Sequence, residues 1–292
     1  MYKLQFFTFD YLNYIFLLYI IRDSIIHKKG DIFMVSIIKD IKYDDRNNLF
    51  TDIYFPEQTS TTNKILIFWH GGGWIKGSKE ACQELGVRFA KAGFTTMIPE
   101  YRLASQSTFP GAHQDSKTFV EWLLNSQYVT MPRSKQPIYQ IGASVGATMA
   151  LFIAGQFGFD TVCWSAPLDF SEWIKNHKDT VASTDAASEL HLTNPRQIKD
   201  SFYKFFTVSY AGGEDPSILQ KMDAYTYDLD KLNRLLMINS EHELTPLDSV
   251  LKFAKTLAQQ NKALNLILLP GDQHAMGYAN KYIDKSIEFL LH

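Results

Sequence analysis

The chain has 292 residues, of which 46% are hydrophobic and 21% charged, with 16 Gly and 10 Pro. This composition excludes intrinsic disorder, collagen-like repeats and low-complexity scaffolds. The 29 basic and 31 acidic residues leave a net charge of −2, which argues against a nucleic-acid partner because phosphate binding normally requires a basic excess. Cys82 and Cys163 are too few for a disulfide framework and lack metal-site spacing, so we expect two free thiols.

The first 33 residues are rich in aromatic and apolar side chains. The run YLNYIFLLYII (11–21) is apolar except for one Asn. Its 11 residues are fewer than the roughly 20 that a membrane-spanning helix needs, and no signal-peptide cleavage site follows. We therefore expect residues 1–33 to be a leader outside the fold, with a membrane-associated helix at 4–21 or a packed helix as the alternatives. Lys28 and Lys29 follow the run, so an inserted segment would leave the folded domain, which Met34 opens, on the cytoplasmic side.

From residue 35 onward the hydrophobic pattern alternates between strands and helices. Two period-2 segments around a turn predict an N-terminal hairpin, and further short apolar runs predict buried strands. The predicted strands are 35–43, 49–55, 64–69, 94–98, 137–141, 161–166, 235–238 and 264–269, and the predicted helices are 79–92, 115–124, 147–157, 246–260 and 278–291. This order predicts an α/β fold with a mostly parallel central sheet flanked by helices.

Residues 167–231 interrupt that alternation. They are rich in Trp, Tyr and Phe and contain scattered turn signals, and 65 residues are too many for a simple loop in a compact domain. We expect a helical insertion that acts as a lid. The sequence thus predicts one domain, residues 34–292, with the lid inserted in it.

The pentapeptide GASVG (142–146) lies between a predicted strand and a predicted helix, which is the setting of the G-x-S-x-G nucleophile elbow. In such a turn the serine is strained and its neighbours are glycines because a Cβ would collide with adjacent backbone. Ser144 is therefore the candidate nucleophile. The helix N-terminus and the Val145 N–H are candidates to stabilise a developing oxyanion.

A second motif, HGGGW (70–74), follows a predicted buried strand. Consecutive glycines let bare backbone N–H groups approach a substrate carbonyl, and losing one such donor costs about 2.7–4 kcal/mol of barrier. Gly71 and Gly72 are therefore predicted oxyanion donors. Trp74, Phe109, Trp164 and the aromatic residues of the predicted lid are expected to line an apolar pocket for substrate. We expect His70 to hold the loop rather than to act as the base.

These motifs, together with EYRLASQSTFP (100–110) and Asp115, resemble the α/β-hydrolase esterases of the hormone-sensitive-lipase and kynurenine-formamidase type. The resemblance spans residues 36 to 291. It implies an α/β-hydrolase fold and a catalytic order of nucleophile, acid and histidine along the chain. Arg102 and Asp115, which belong to the shared motif, are expected to form a structural ion pair.

His274, in GDQHAMGY after the last predicted strand, has the position and order expected of the general base. His242 is its rival, but it lies in the loop where relatives place the acid. In that loop Glu243, followed by Leu and soon by Pro, fits the acid position best. Asp248, which we expect to begin the next helix, and Glu241 are the alternatives.

Metal and nucleotide sites have no support in the sequence, and no cofactor is implied. His242-Glu243 begins an H-E-x-x-H pattern, but Pro246 occupies the second histidine position. The glycine loop departs from G-x-G-x-x-G spacing at Lys76.

The sequence thus predicts a serine carboxylesterase for small to medium esters, working through an acyl-enzyme without metal or cofactor. The expected partner is a small-molecule ester or amide, and the oligomeric state is left open. One alternative is an arylformamidase that hydrolyses N-formylkynurenine. A non-catalytic ligand-binding relative is an alternative of another class, and a membrane-anchored interaction protein is suggested only by residues 4–21.

Overall fold

The central sheet has eight strands in the spatial order β1-β2-β4-β3-β5-β6-β7-β8 in a computed structural model that describes residues 35–57, 63–104 and 106–292. β1 and β2 pair antiparallel, as do β2 and β4, and the other neighbours are parallel. The strands are β1 (Ser36–Asp44), β2 (Leu49–Phe55), β3 (Ile65–Trp69), β4 (Thr95–Pro99), β5 (Ile138–Ala143), β6 (Asp160–Trp164), β7 (Leu235–Ser240) and β8 (Asn265–Leu269). The predicted α/β fold with a mostly parallel sheet is confirmed.

Helices cover both faces of this sheet. They are α1 (Gln83–Lys91), α2 (Gly111–Leu124), α3 (Val145–Phe157), α4 (Ser171–Asn176), α5 (Ala186–Glu189), α6 (Pro195–Ala211), α7 (Pro216–Met222), α8 (Leu247–Gln259) and α9 (Met276–Leu291), with 3₁₀ turns at Glu80–Cys82 and Ala224–Thr226. Strand β3 shows why the layers form. Its side chains alternate between a cluster shared with α1 and α9 and a cluster shared with α2 and α3, so a continuous apolar run buries both faces.

The insertion at residues 167–231 lies between β6 and β7 and contains α4 to α7. Its longest helix, α6, begins after Asn194, whose side chain accepts a hydrogen bond from the Arg196 N–H, and ends at Gly212 with φ +76°. Phe206 and Tyr210 of α6 pack in their own aromatic cluster with Trp74, away from the sheet core. The helical content matches the prediction, and the action of this segment as a lid stays a prediction.

The parallel strands bring the motif loops to one edge of the sheet. The carboxyl ends of β3, β5, β7 and β8 lead into the loops that carry Gly71, Ser144, Glu243 and His274. In doubly wound sheets this edge is where ligands bind.

The leader predicted at residues 1–33 lies outside the described residues, and so does the proposed membrane segment at 4–21. Within the part of the chain that the structure describes, no helix has both the length and the apolar character to cross a membrane.

Candidate active site

Ser144 occupies the sharp turn between β5 and α3, with φ +54° and ψ −128°. Its N–H donates to the carbonyl of Trp164 at 2.7 Å, which ties the turn to the neighbouring strand. A Cβ on Gly146 would come within 2.3 Å of the Trp69 carbonyl oxygen and 2.4 Å of that of His70. Only glycine therefore lets α3 begin against the end of β3, and the serine is held in a conformation that L-residues seldom adopt.

The imidazole of His274 is hydrogen-bonded through Nδ1 to Oε2 of Glu243. The other carboxylate oxygen, Oε1, accepts from Ser165 Oγ at 2.9 Å, Asn239 Nδ2 at 3.1 Å and the Ser240 N–H at 2.8 Å. The Glu243 side chain is fully buried, whereas that of His274 is 25% exposed. A carboxylate without solvent contact thus has donors on both oxygens, which offsets its desolvation and fixes the ring beside it.

Ser144 and His274 line one pocket of about 320 Å³. The hydrogen bonds of the described residues do not include one between these two side chains, and such catalytic contacts often close only when substrate binds. The other lining residues come from the glycine loop and the 3₁₀ turn after it, from the end of β5, from α6, from the loops after β7 and β8, and from the start of α9. They are His70, Gly71, Gly72, Gly73, Lys76, Gly77, Ser78, Ala81, Cys82, Ala143, Phe202, Phe206, Leu244, Ala275 and Met276.

The alternative acids lie elsewhere. Asp248 is exposed in the first turn of α8 and lines a different pocket. Glu241 and His242 are also exposed. Of the residues proposed from the sequence, the structure brings Glu243 and His274 into contact and leaves these three apart from the imidazole.

The backbone at the oxyanion motif is close to the nucleophile. A Cβ on Gly71 would lie 2.8 Å from the Ala143 carbonyl oxygen and 3.1 Å from Ser144 Cβ, so the loop needs glycine at this position. Within the described part of the chain, the N–H groups of Gly71, Gly72 and Val145 have no backbone or side-chain acceptor. Gly71 and Gly72 line the pocket and Val145 directly follows Ser144, so these donors are candidates for an oxyanion hole.

The side chain of His70 packs against the backbone of the glycine loop and helps to hold it in place. Its ring stacks on Tyr101 at 4.2 Å, and Nδ1 lies 2.8 Å from the Gly71 carbonyl oxygen. The Tyr101 hydroxyl donates to the His70 carbonyl oxygen at 2.8 Å. Burial lowers the pKa of His70 to about 4, so the ring is neutral near neutral pH. This environment fits the expected structural role.

Trp74 does not reach the pocket. Its φ of +56° turns the indole into the aromatic cluster, where it is fully buried and stacks on Tyr210 at 4.3 Å. A direct substrate contact by Trp74 therefore has no support in this geometry. Phe109 and Trp164 are not among the described residues that line the pocket either. The wall instead contains Phe202 and Phe206, two of the lid aromatics that were expected there as a group but not by number. Their i, i+4 spacing on one helix face was the available signal.

Asp115 and Cys82, which were also noted in the sequence, have surroundings that account for their roles. Asp115 is buried and accepts from the Arg102 guanidinium, from Nη2 at 2.7 Å and from Nε at 2.9 and 3.1 Å, and from the Arg102 N–H at 2.9 Å. Cys82 lines the pocket, but burial raises the pKa of its thiol to about 11, so the thiolate is scarce at neutral pH. This thiol is therefore a poor nucleophile near neutral pH.

Residues 51–166 match the family described as BD-FAE. The chain is 25% identical over 255 residues to an ethyl acetate hydrolase of Pseudomonas putida, covering 85% of this chain and 77% of that protein. It is 22% identical to carboxylesterase 20 of Arabidopsis thaliana, covering 54% of this chain and 52%, about half, of that relative.

A solved structure of an esterase/lipase from an uncultured bacterium superimposes with a TM-score of 0.65 at 17% identity, covering 91% of this chain and 86% of that one. At this identity the likeness shows the fold. Together with the order of the motifs and the related sequences, it identifies the chain as an α/β-hydrolase of the serine-esterase type. The protein is therefore an enzyme.

Proposed function

We propose that the protein is a serine carboxylesterase that cleaves small to medium esters through an acyl-enzyme. The observation that carries this proposal is the hydrogen bond between buried Glu243 and His274, whose ring lines the same pocket as Ser144. This is the nucleophile–base–acid arrangement of serine hydrolases. The relatives named ethyl acetate hydrolase and carboxylesterase support ester hydrolysis.

In the proposed mechanism Ser144 Oγ attacks the ester carbonyl while Nε2 of His274 takes its proton. Glu243 keeps the Nδ1 proton directed toward itself and stabilises the imidazolium. The N–H groups of Gly71, Gly72 and Val145 hold the oxyanion. The imidazolium then protonates the leaving alcohol, and the same ring activates the water that hydrolyses the acyl-enzyme.

The pocket walls support a short, largely apolar substrate. Phe202, Phe206, Leu244 and Met276 face a volume of about 320 Å³, which is at the small end for ligand pockets. A panel of p-nitrophenyl esters of rising chain length, assayed beside N-formylkynurenine, tests the assignment. We expect the highest kcat/KM for short acyl chains; a preference for the formamide would contradict the carboxylesterase assignment and favour the arylformamidase.

A contact between the insertion and the catalytic loops supports the proposal that the insertion acts as a lid. Lys199 of α6 donates to the His242 carbonyl oxygen at 2.7 Å and lies 3.4 Å from Asp272 Oδ2. It thereby links the insertion to the loops that carry the acid and the base. Movement of α6 would displace the Phe202 and Phe206 wall of the pocket.

Lys76 gives a prediction about substrate charge. Of the described residues that line the pocket, it carries the only permanent charge, and its Nζ lies 5.8 Å from the centre of the Phe202 ring. Since an exposed ion pair contributes about 0.2–1 kcal/mol, we expect mono-p-nitrophenyl glutarate to exceed p-nitrophenyl valerate in kcat/KM by up to about fivefold. Lys76→Met should remove this preference, and added salt should reduce it.

The control for this prediction is Lys175→Met, on α4 and exposed outside the active-site pocket. It should leave the ratio between the two esters unchanged. The idea fails if the Lys76→Met and Lys175→Met proteins show the same ratio as wild type.

A further inference from the structure

Ser165 is a buried serine at the carboxyl end of β6, next to the catalytic edge of the sheet. It is fully buried and has φ +55°, a conformation unusual for a residue other than glycine. Its N–H donates to the Ile238 carbonyl oxygen at 2.9 Å, and its own carbonyl accepts from Thr245 Oγ1 at 3.0 Å. The backbone of Ser165 is therefore held between β7 and the loop that carries Glu243, which fixes where its hydroxyl lies.

That hydroxyl joins the two sides of the catalytic pair. Ser165 Oγ donates to Glu243 Oε1 at 2.9 Å, because a carboxylate can only accept. The same oxygen accepts from the N–H of Ala275, the residue after His274, at 2.8 Å. One buried atom is thus bonded both to the acid and to the backbone adjoining the base.

The phenol group of Tyr278 also contacts the Ser165 hydroxyl. Its phenol oxygen lies 2.8 Å from Ser165 Oγ and donates to the Ile238 carbonyl oxygen at 2.6 Å. Tyr278 belongs to α9, which begins directly after the base loop. The first turn of this helix is therefore tied to β7 through the same group of polar atoms.

We propose that Ser165 is a positioning residue for the triad, one that sets the distance and angle between Glu243 and His274 without touching substrate. The inference rests on the proposed function, because it assumes that these two residues act as acid and base. With the bridge in place, the imidazole keeps Nδ1 toward Glu243 and Nε2 toward the pocket. Displacements of about 1 Å in such an arrangement cost about 100-fold in rate.

The test is Ser165→Ala, which removes the hydroxyl alone. We expect kcat for a short p-nitrophenyl ester to fall by about 10- to 100-fold with KM nearly unchanged. A fluorophosphonate should label Ser144 more slowly but reach the same final stoichiometry. A loss of folded protein would instead lower the number of labelled sites and leave the rate per site as in wild type, and that result would overturn the proposal.

Two companion variants keep the test decisive. Ser165→Gly removes the same hydroxyl at a positive φ that glycine adopts readily, so it should show the same loss of kcat per labelled site even if Ser165→Ala folds poorly. Ser286→Ala is the matched control, since Ser286 is also fully buried, accepts from Trp164 Nε1 at 3.0 Å and donates to the Tyr282 carbonyl oxygen at 2.9 Å, and neither partner belongs to the proposed triad. It should retain the wild-type kcat per site.

Failure of this inference is distinguishable from failure of the proposed function. Wild-type kcat per site in both Ser165 variants, with Ser144→Ala inactive, would overturn the positioning role and leave the esterase assignment intact. Full activity in Ser144→Ala would overturn the assignment itself, and the positioning role with it.

Discussion

Ser144→Ala should lower kcat for p-nitrophenyl esters by about a millionfold, because removing the nucleophile of a serine hydrolase leaves only the oxyanion donors and substrate binding. The methyl side chain keeps the Cβ that the turn already accommodates at φ +54°, so the melting temperature should stay near that of wild type. Steady-state hydrolysis with purified protein, together with circular dichroism melting, measures both quantities.

Ser134→Ala is the matched control for that prediction. Ser134 is exposed in the connection between α2 and β5 and lies outside the pocket, so this variant should hydrolyse esters at the wild-type rate. Equal rates for Ser144→Ala and wild type would mean that another group attacks the ester.

Glu243→Gln should lower kcat by about 10,000-fold, the loss seen when an amide replaces the acid of a triad and the histidine adopts the wrong tautomer. An amide can donate as well as accept, so it no longer requires the His274 Nδ1 proton to point toward it, and it cannot stabilise the imidazolium. The substitution preserves the shape of a fully buried side chain, so the main change is in charge and hydrogen bonding.

Asp248→Asn serves as the comparison, because the two carboxylates are five positions apart in the chain and differ in burial. Asp248 is exposed at the start of α8, and we expect its amide variant to keep kcat close to wild type. A larger loss in Asp248→Asn than in Glu243→Gln would reassign the acid. Both variants should be compared per labelled Ser144 site, so that differences in folded fraction do not enter.

The fold was predictable because its signals are local. Strand β3 is a continuous apolar run, and GASVG combines a strand, a turn and a helix within a few residues. The N-terminal boundary of α2 was less accessible. The helix begins at Gly111, four residues before the predicted start, because its first turn is stabilised by tertiary contacts such as that of His113 with Tyr210.

The acid was left open in the sequence because three carboxylates, Glu241, Glu243 and Asp248, lie within one eight-residue stretch (241–248) and local propensity does not rank them. What distinguishes Glu243 is non-local: Ser165, 78 residues away in the chain, donates to it, and His274, 31 residues away, lies beside it. Contacts of this kind depend on how β6, β7 and β8 align, which no short pattern encodes.

The substrate contact proposed at Trp74 shows the opposite error, in which closeness in sequence was taken for closeness in space. Trp74 follows the glycine loop directly, yet its positive φ directs the ring into the aromatic cluster. The pocket wall is supplied by Phe202 and Phe206, more than 120 residues further along the chain. The aromatic composition of the insertion predicted that it would contribute to the pocket, but composition does not indicate which of its aromatic residues face the site.

The aromatic part of that wall comes from a different stretch of the chain than the groups proposed for bond cleavage. The groups proposed for bond cleavage lie at strand ends, whereas α6 belongs to one continuous insertion between β6 and β7. We expect that exchanging this insertion between homologues would change the preference for the substrate's acyl or alcohol group without changing the reaction. The same modularity offers protein engineers a single contiguous segment in which to diversify the acceptance of new esters.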